Sequence, residues 1–260
     1  MTENQTPKFA PTLVIFEGAE GSGKSTAMAT IAERLRSRGI PVTTCGCPSK
    51  VEGTISERVR KILLGGEQVS DLSTEVSLFL ASIADVLATV ILPALHRGEV
   101  VLCDRFYHTL IVHQGIVRPR MESKVKNASS MAANLIYAMI RSSYQLALWS
   151  QETRVENYAS DFTRLPITFY LHAHTKIAQE RVRSRGTENH YDDSTVEFLE
   201  AVESTYVDMA KWKVAPPMEE RPFLINANRP ADHVADSIDK TLMPLLAKLA
   251  ETSERRSCSD

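Results

Sequence analysis

The sequence predicts an α/β fold in which helices cover both faces of a central five-stranded parallel sheet, giving three layers. Three observations support this. Short apolar runs alternate along the chain with longer helical stretches, as in repeated strand–helix–strand units. The first apolar run leads directly into a glycine-rich loop and then a helix. The chain has 260 residues, 43% of them hydrophobic, which is enough to bury a large core.

The strands are predicted where the short apolar runs occur, at 12–16, 42–45, 100–103, 167–171 and 223–225. The helices are predicted between and after them, at 24–38, 54–64, 74–96, 130–151, 175–185, 195–212 and 231–250. One domain over residues 12–250 accounts for all of these elements. The polar ends, 1–11 and 251–260, are expected to be disordered tails.

The segment after the first strand has the pattern of a phosphate-binding loop. Residues 18–25 read Gly-Ala-Glu-Gly-Ser-Gly-Lys-Ser, between a predicted strand and a predicted helix. The glycines allow backbone dihedrals that a Cβ forbids, so several N–H groups can face one phosphate, and the helix N-terminus adds positive potential. The expected ATP-binding residues are Gly18, Gly21, Ser22, Gly23, Lys24, Ser25 and Thr26.

Two side chains of this loop have expected roles. Lys24 is expected to bridge the β- and γ-phosphates of ATP, and the Ser25 hydroxyl to bind Mg²⁺. The alternative is a flexible glycine–serine turn that matches by accident, and the flanking strand and helix disfavour it. The sequence therefore predicts ATP and Mg²⁺ as cofactors.

A second motif lies at the end of the third predicted strand, where Asp104 and Arg105 follow an apolar run. In proteins with a phosphate-binding loop, a carboxylate at the carboxyl end of a nearby strand reaches the metal ion. An ordinary solvated aspartate fits the same short pattern. The phosphate loop favours the metal-linked role, so Asp104 and Ser25 are the predicted metal residues.

An arginine-rich segment, with Arg181, Arg183 and Arg185, ends a predicted helix. Arginines spaced by two residues cannot all lie on one helical face. Some must project from the helix end, where guanidinium groups could close over a polyphosphate and neutralise its charge. The alternative is a basic helix C-terminus that complements the helix dipole. We favour a lid at about 183–193.

Composition and charge exclude several classes of partner. The formal net charge of −2 gives no overall attraction to nucleic acid or to an anionic membrane. Of the four cysteines, Cys45 and Cys47 suggest a metal or redox pair, but no second Cys/His pair stands at zinc-site spacing. The N-terminus lacks a signal-peptide pattern, and we expect no membrane-spanning segment. The predicted location is the cytoplasm, with a small-molecule phosphate acceptor as substrate.

In order and spacing, these motifs resemble those of the bacterial thymidylate kinases, over nearly the whole ordered chain. The elements that carry the resemblance are the phosphate loop at 16–26, Leu-Pro-Ala-Leu at 92–95, Gly98, Asp-Arg-Phe at 104–106, His-Gln-Gly at 113–115 and the arginine-rich segment. The resemblance implies a P-loop kinase fold, the use of ATP and Mg²⁺, and a nucleoside monophosphate as acceptor.

The resemblance also implies roles for individual residues. Glu20 stands where the family has an acid that contacts the 3′-hydroxyl of the acceptor sugar, and Arg105 where an arginine holds the acceptor phosphate. Arg60 and Phe79 stand where the family has a phosphate-side arginine and a ring stacked on the base. The implied acceptor-binding residues are Glu20, Arg60, Phe79, Arg105, His113 and Gln114.

The loop also indicates a subtype of the family. Gly21 and Ser22 follow Glu20 with no arginine among them, so the resemblance is to the subtype that supplies its catalytic arginine from the lid. The implied catalytic residues are Lys24, Arg105, Arg183 and Arg185.

Departures from the family pattern cluster on the acceptor side. The family's Arg-Glu-Pro-Gly-Gly segment is Gly-Cys-Pro-Ser-Lys at 46–50. Ile83 stands where the family has the arginine that reads a base carbonyl, Thr109 and Leu110 replace a polar pair, and His113 replaces a tyrosine. Losing a donor to a buried carbonyl costs roughly 1–3 kcal/mol. Thymine is therefore expected to bind poorly unless another donor replaces the arginine.

Lys50, His108 and His113 are three possible replacement donors, and each also fits a plain surface or packing role. The region 116–165 is longer than in the family. It could rebuild the acceptor pocket, or extend the core and an interface, and we favour core or interface in a homodimer.

The predicted function is ATP-dependent phosphoryl transfer to a (deoxy)nucleoside monophosphate, dTMP or a related pyrimidine nucleotide, giving the diphosphate. Two alternatives stay open. One is a kinase of the same type for a different phosphorylated or hydroxylated metabolite. The other is a nucleotide-binding protein that no longer transfers phosphate.

Overall fold

The computed structural model describes residues 9–65, 69, 71–122, 128–152, 166–186, 195–211 and 222–257. Five parallel strands form one sheet: β1 (Thr12–Glu17), β2 (Val42–Gly46), β3 (Val100–Asp104), β4 (Ile167–His172) and β5 (Phe223–Asn226). The spatial order is β2-β3-β1-β4-β5. All five predicted strands are confirmed, and each extends one residue further at its carboxyl end than predicted.

The strand register brings the polar strand ends together at one edge of the sheet. Asp104 at the end of β3 pairs with Phe16 of β1 on one side and Gly46 of β2 on the other. Because all strands are parallel, their carboxyl ends and the loops that follow share this edge. The phosphate loop and the Asp-Arg motif therefore face the same space, although Ser25 and Asp104 are 79 residues apart in sequence.

The helices occupy the connections between strands. They are α1 (Lys24–Ser37), α2 (Ile55–Leu64), α3 (Leu72–Val86), α4 (Leu92–His96), α5 (Tyr107–Leu110), α6 (Arg118–Glu122), α7 (Ala128–Glu152), α8 (Thr175–Arg185), α9 (Val196–Lys211) and α10 (Ala231–Ser257). A π-helical turn at Leu87–Ile91 joins α3 to α4, and another at Ile111–Val117 joins α5 to α6.

All seven predicted helices are present, and one helical stretch was missed. The segment from Tyr107 to Glu122 is helical, although no element was predicted there. The last helix extends to Ser257, beyond the expected start of a tail at 251. Within the N-terminal tail, Ala10 is buried and its carbonyl accepts a hydrogen bond from the Thr12 hydroxyl. The other tail residues, 1–8 and 258–260, lie outside the described residues.

Two apolar cores flank the sheet, which confirms the three-layer arrangement. Alternate residues of β1 face opposite sides, with Ile15 in the core packed by α3 and α9, and Val14 in the core packed by α1 and α10. In β3, Cys103 likewise belongs to the core on the side of α3 and α9, and Leu102 to the core on the side of α1 and α10. Strands buried on both faces explain why the sequence shows continuous apolar runs rather than alternation.

The long helix Leu72–His96 bears on the expectation that no segment spans a membrane. It has 25 residues, and an 18-residue window reaches a mean hydropathy of 2.2, so its length and composition alone would allow it to cross a membrane. In the structure, however, Val76, Phe79, Ile83 and Ile91 pack into the core of the protein. A core helix passes the same test of length and composition, so this single span is weak evidence for a membrane segment.

Leu102 provides a test of the core. Its side chain is 0% exposed in β3, so Leu102→Ala is expected to lower the free energy of unfolding by about 2–5 kcal/mol, through lost burial and a residual cavity. Leu224→Ala is the matched control, because Leu224 is also in a strand but is 45% exposed. Its expected loss is about 1 kcal/mol or less. Urea denaturation measures both, and equal losses would contradict the assigned burial.

Candidate active site

The phosphate loop connects β1 to α1 and depends on two glycines that have no room for a side chain. A Cβ on Gly18 would lie 2.5 Å from the Leu171 carbonyl oxygen, and one on Gly21 would lie 2.1 Å from the Ala178 carbonyl oxygen. Gly21 also has φ +73°, in the left-handed region. The loop therefore packs directly against the end of β4 and against α8.

Lys24, at the start of α1, lies across the loop. Its side chain is buried, and Nζ donates to the carbonyl oxygens of Gly18 at 3.0 Å and Ala19 at 2.9 Å. Burial, with the nearby Arg105 cation, lowers the pKa of Lys24 from 10.5 to about 8. An anion in front of the loop would reverse that effect, so the site favours a negatively charged ligand.

Ser25 and Asp104 form an oxygen-rich pair beside Lys24. The Ser25 hydroxyl donates to Oδ2 of Asp104 at 2.7 Å. The other carboxylate oxygen, Oδ1, is buried and has no hydrogen-bond partner among the described residues. A hydroxyl and a carboxylate with an unused oxygen are ligands that suit Mg²⁺. The structure thus brings both predicted metal residues together, and they fit that ion.

Arg105 follows β3 in an unusual backbone conformation, with φ +65°. Its guanidinium donates to Oε1 of Glu20 at 2.6 Å and to the Thr109 hydroxyl at 3.1 Å. Burial alone would lower the pKa of Arg105, but Glu20 and the other nearby acidic groups, Tyr206, Asp104 and Glu17, together raise it, so the side chain stays charged. Arg105 is therefore a fixed positive charge that faces Glu20 of the phosphate loop.

A buried carboxylate that sequence reasoning missed lies beneath Arg105. Glu17, the last residue of β1, is 0% exposed. It accepts hydrogen bonds from the Phe106 backbone N–H at 2.8 Å, the Thr109 hydroxyl at 2.6 Å and the Tyr206 hydroxyl at 3.0 Å. The available signal was a charged residue directly after a fully apolar strand. We refer to Glu17, Thr109 and Tyr206 with Arg105 as the Glu17 network.

These residues line one cavity of about 460 Å³. The predicted site residues in its lining are Glu20, Gly21, Gly23, Lys24, Ser25, Thr26, Arg60, Phe79, Asp104, Arg105, His113 and Gln114. The predicted loop residues Gly18 and Ser22 are buried and are not in the cavity lining. The structure thus brings the predicted donor-side and acceptor-side residues into a single space.

The arginine-rich segment is only partly described. Arg181 contacts the phosphate loop, with guanidinium nitrogens 3.5 Å from the Gly21 carbonyl oxygen and 3.0 Å from that of Ala227. Arg183 is exposed and is not among the residues that line the cavity. The side chain of Arg185 and residues 187–194 of the predicted lid lie outside the described residues. Among the three arginines, the structure therefore places Arg181 at the loop.

Comparison with known proteins is decisive for the family. The thymidylate kinase family model matches residues 16–133, which include the phosphate loop, Asp104 and Arg105. The thymidylate kinase of Pseudomonas fluorescens (strain SBW25) is 32% identical over 90% of this chain and 96% of its own length. That of Thermosipho africanus is 31% identical over 85% of this chain and 92% of its own length. The chain belongs to the thymidylate kinase family.

The residues predicted to bind the acceptor have the following surroundings. Arg60 donates to the Pro48 carbonyl oxygen at 3.3 Å, and the Phe79 ring is 8% exposed. Gln114 donates through Nε2 to Glu75 at 2.9 Å, so this contact fixes the amide plane. Burial lowers the pKa of His113 to about 3, so its imidazole is neutral at pH 7.

The departures from the family pattern divide into two groups. Thr109, His113 and Lys50 line the cavity. Ile83 and Leu110, in contrast, are 8% and 1% exposed, belong to the apolar core and are not among the residues that line the cavity. A direct contact between Ile83 and the base, as expected from the position of the family's arginine, is therefore not supported by the cavity.

His108 is also excluded as a donor to the base. It is 2% exposed and lies against the rings of Tyr107 and Tyr170, with centroid distances of 4.3 and 5.4 Å. Burial lowers the pKa of His108 to about 3. It packs as a neutral core side chain. Of the three candidate replacements for the family's arginine, Lys50 and His113 therefore remain, and both line the cavity.

Gly21→Ala tests the close contact between the loop and α8. A Cβ at Gly21 would meet Ala178, whereas Gly98 has a similar φ of +81° and no atom within 4 Å of a Cβ. Both substitutions share the cost of a left-handed backbone, roughly 1–2 kcal/mol. Only Gly21→Ala is expected to shift the loop and weaken ATP binding, by about 10-fold or more. Calorimetric titration with ATP measures this; equal binding in both variants would contradict the steric argument.

The lowered pKa of Lys24 predicts proton uptake when ATP binds. The free protein holds Lys24 about half protonated near pH 8, and the ATP phosphates raise its pKa, so binding takes up a proton. Affinity is expected to fall as the pH rises through about 8 and beyond. Uptake of about half a proton at pH 8, and almost none at pH 6, would appear in titrations in buffers of different ionisation enthalpy. Lys24→Arg, permanently charged, should abolish the uptake; persistent uptake would contradict it.

Proposed function

We propose that this protein transfers the γ-phosphate of ATP to a nucleoside monophosphate, with dTMP as the leading acceptor and dTDP as product. Its membership of the thymidylate kinase family supports the activity. The observation that carries the proposal is the single cavity in which Lys24 and Ser25 of the phosphate loop face Arg105 and Phe79. A donor and an acceptor nucleotide need such a shared space for direct transfer.

The donor side is proposed to bind ATP through the loop backbone and Lys24. The N-terminus of α1 and the N–H groups before it present positive potential to the phosphates. The proposed ATP-binding residues are Gly18, Gly21, Ser22, Gly23, Lys24, Ser25 and Thr26. Ser25 and Asp104 are proposed to hold Mg²⁺, which neutralises phosphate charge when bound.

The acceptor side is proposed to bind the monophosphate through Arg105, with Arg60, Glu20, His113 and Gln114 around it. Phe79 is proposed to stack on the base. An acceptor phosphate oxygen attacks the γ-phosphorus, the bond from that phosphorus to the bridging oxygen breaks, and ADP leaves with the bond electrons. Because a phosphate oxygen is already nucleophilic, the residues mainly position the two nucleotides and stabilise charge.

We propose that the arginine-rich segment supplies transition-state stabilisation, through Arg183 and Arg185 as the family pattern implies. Arg181 is a further candidate for the same role, because its guanidinium already contacts the phosphate loop. An arginine of this segment that moves onto the transferring phosphoryl group when ATP binds would also exclude water from the site.

The expected single domain, cytoplasmic location and homodimer remain proposals. For the dimer, one feature of α7 offers support: Met131, Leu135 and Met139 are 60%, 65% and 39% exposed. At four-residue spacing they form an apolar row on one helix face, which a second copy of the chain would cover.

Acceptor-dependent ADP release tests the function. With ATP and Mg²⁺, dTMP is expected to stimulate release more strongly than dUMP or dCMP. Lys24→Ala is expected to lower kcat/KM by about 100-fold or more, because Lys24 stabilises the transferring charge. Lys211→Ala, at a 64% exposed lysine on α9, is the control and should retain full activity.

Two results of this assay would overturn the proposal in different ways. Slow ATP hydrolysis that no acceptor stimulates would indicate a nucleotide-binding protein without transfer. Stimulation by another phosphorylated metabolite, with no response to dTMP, dUMP or dCMP, would keep the kinase chemistry and reject the nucleotide acceptor.

A further inference from the structure

A cluster of metal-ligating side chains lies outside the proposed active site. His172 is the last residue of β4, His174 follows two residues later, and Glu203 projects from α9. Each offers one ligand atom, and the three atoms lie within 4.8 Å of one another. None of these residues is in the lining of the nucleotide cavity, and the proposed transfer chemistry does not use them.

The fold itself holds this cluster together. Side chains two residues apart on an extended chain point to the same side, and the two imidazole rings have centroids 5.3 Å apart. Helix α9 packs on β4 and brings Glu203 to the same place, with Oε1 2.8 Å from Nδ1 of His172. The three ligand atoms therefore converge from two different elements.

Hydrogen bonds from neighbouring groups hold the Glu203 carboxylate and the backbone of His174. The second carboxylate oxygen of Glu203 accepts from the Thr175 hydroxyl at 3.3 Å. The backbone N–H of His174 donates to Oδ1 of Asn228 at 2.8 Å, which anchors the loop after β4. Such supporting contacts are what orient ligands in metal sites.

The chemistry of the three atoms selects the class of ion. Two imidazole nitrogens and one carboxylate oxygen suit zinc-like transition metals, whereas Mg²⁺ prefers oxygen ligands only. We propose that His172, His174 and Glu203 bind one divalent transition-metal cation of the zinc class, with a fourth position open to solvent. This site is separate from Ser25 and Asp104.

The geometry needs only a small adjustment to bind the ion. Tetrahedral zinc with bonds of about 2.0–2.1 Å places its ligand atoms about 3.3 Å apart. His172 and Glu203 are slightly closer than this, and the exposed His174 can approach by a change of rotamer.

The consequence of binding is mechanical. The cation ties α9 to the end of β4, and Tyr206 lies on α9 three residues after Glu203. Since the Tyr206 hydroxyl donates to Glu17, the metal braces the Glu17 network from its far side. The occupancy of this site is measurable without any assay of transfer.

Metal titration of the full chain without a histidine tag tests the inference. In excess Mg²⁺ and without nucleotide, the protein is expected to bind one Zn²⁺ per chain in competition with a chromogenic chelator. His174→Ala is expected to weaken binding by at least about 10-fold. His233→Ala, at an exposed histidine at the start of α10, is the matched control and should bind as the unmodified chain does.

Further readouts keep the test decisive if a variant folds poorly. His174 is exposed, so circular dichroism should show an unchanged fold for its variant, and Zn²⁺ should raise the Tm of the unmodified chain and of His233→Ala only. Glu203→Gln should lose binding in the same way. The absence of stoichiometric Zn²⁺ would overturn the inference and leave an ordinary His172–Glu203 ion pair. Equal binding by His174→Ala, or a thiolate charge-transfer band with Co²⁺, would overturn it by assigning the metal to other residues.

Discussion

The buried carboxylate of Glu17 is the constraint on which the acceptor side of the site depends. A charge that is 0% exposed is costly unless hydrogen bonds surround it, and here the donors come from separate parts of the fold. The Phe106 N–H and the Thr109 hydroxyl follow β3, while the Tyr206 hydroxyl belongs to α9. Satisfying this one charge therefore fixes the turn after β3 against both β1 and α9.

That turn explains the backbone of Arg105. Its φ of +65° is unfavourable for a residue with a Cβ, and strain of this kind persists only where surrounding contacts enforce it. Its own N–H donates to the Phe16 carbonyl oxygen at 2.9 Å, and the next N–H donates to Glu17. The two bonds hold the chain in this conformation, so the guanidinium enters the cavity from a fixed position rather than from a mobile loop.

The sequence predicted what is determined locally and missed what depends on packing. All five strands follow from their apolar runs, but each was predicted to stop at its last apolar residue. Pairing instead continues through the residue that follows, which is polar in four of the five strands, as at Glu17 and Asp104. The helical stretch from Tyr107 was missed because residues after the Asp-Arg motif were interpreted only by their family pattern. Their three- and four-residue apolar spacing, at Tyr107, Leu110 and Ile111, was available.

The site shows the same division between local and packing effects. The phosphate loop was predictable because its glycines and Lys24 act through the backbone of one short segment. The contact of Arg181 with the loop was not predictable. The two-residue spacing indicates that Arg181 and Arg183 point in different directions, but it does not indicate which of them faces Gly21. Only the contact of α8 with the loop decides between them.

The charges in the cavity also indicate how an acceptor phosphate is accommodated. Without a ligand, the Arg105 cation is paired with Glu20, both largely buried, with 14% and 21% of the side chains exposed. A phosphate that binds Arg105 therefore replaces one anion by another, and it need not strip water from an unpaired cation. If Arg105 binds the acceptor phosphate, as proposed, the Glu20 carboxylate is displaced from this ion pair and can accept a hydrogen bond from a sugar hydroxyl. On that proposal, the Arg105–Glu20 pair favours acceptors that carry both a phosphate and a hydroxyl.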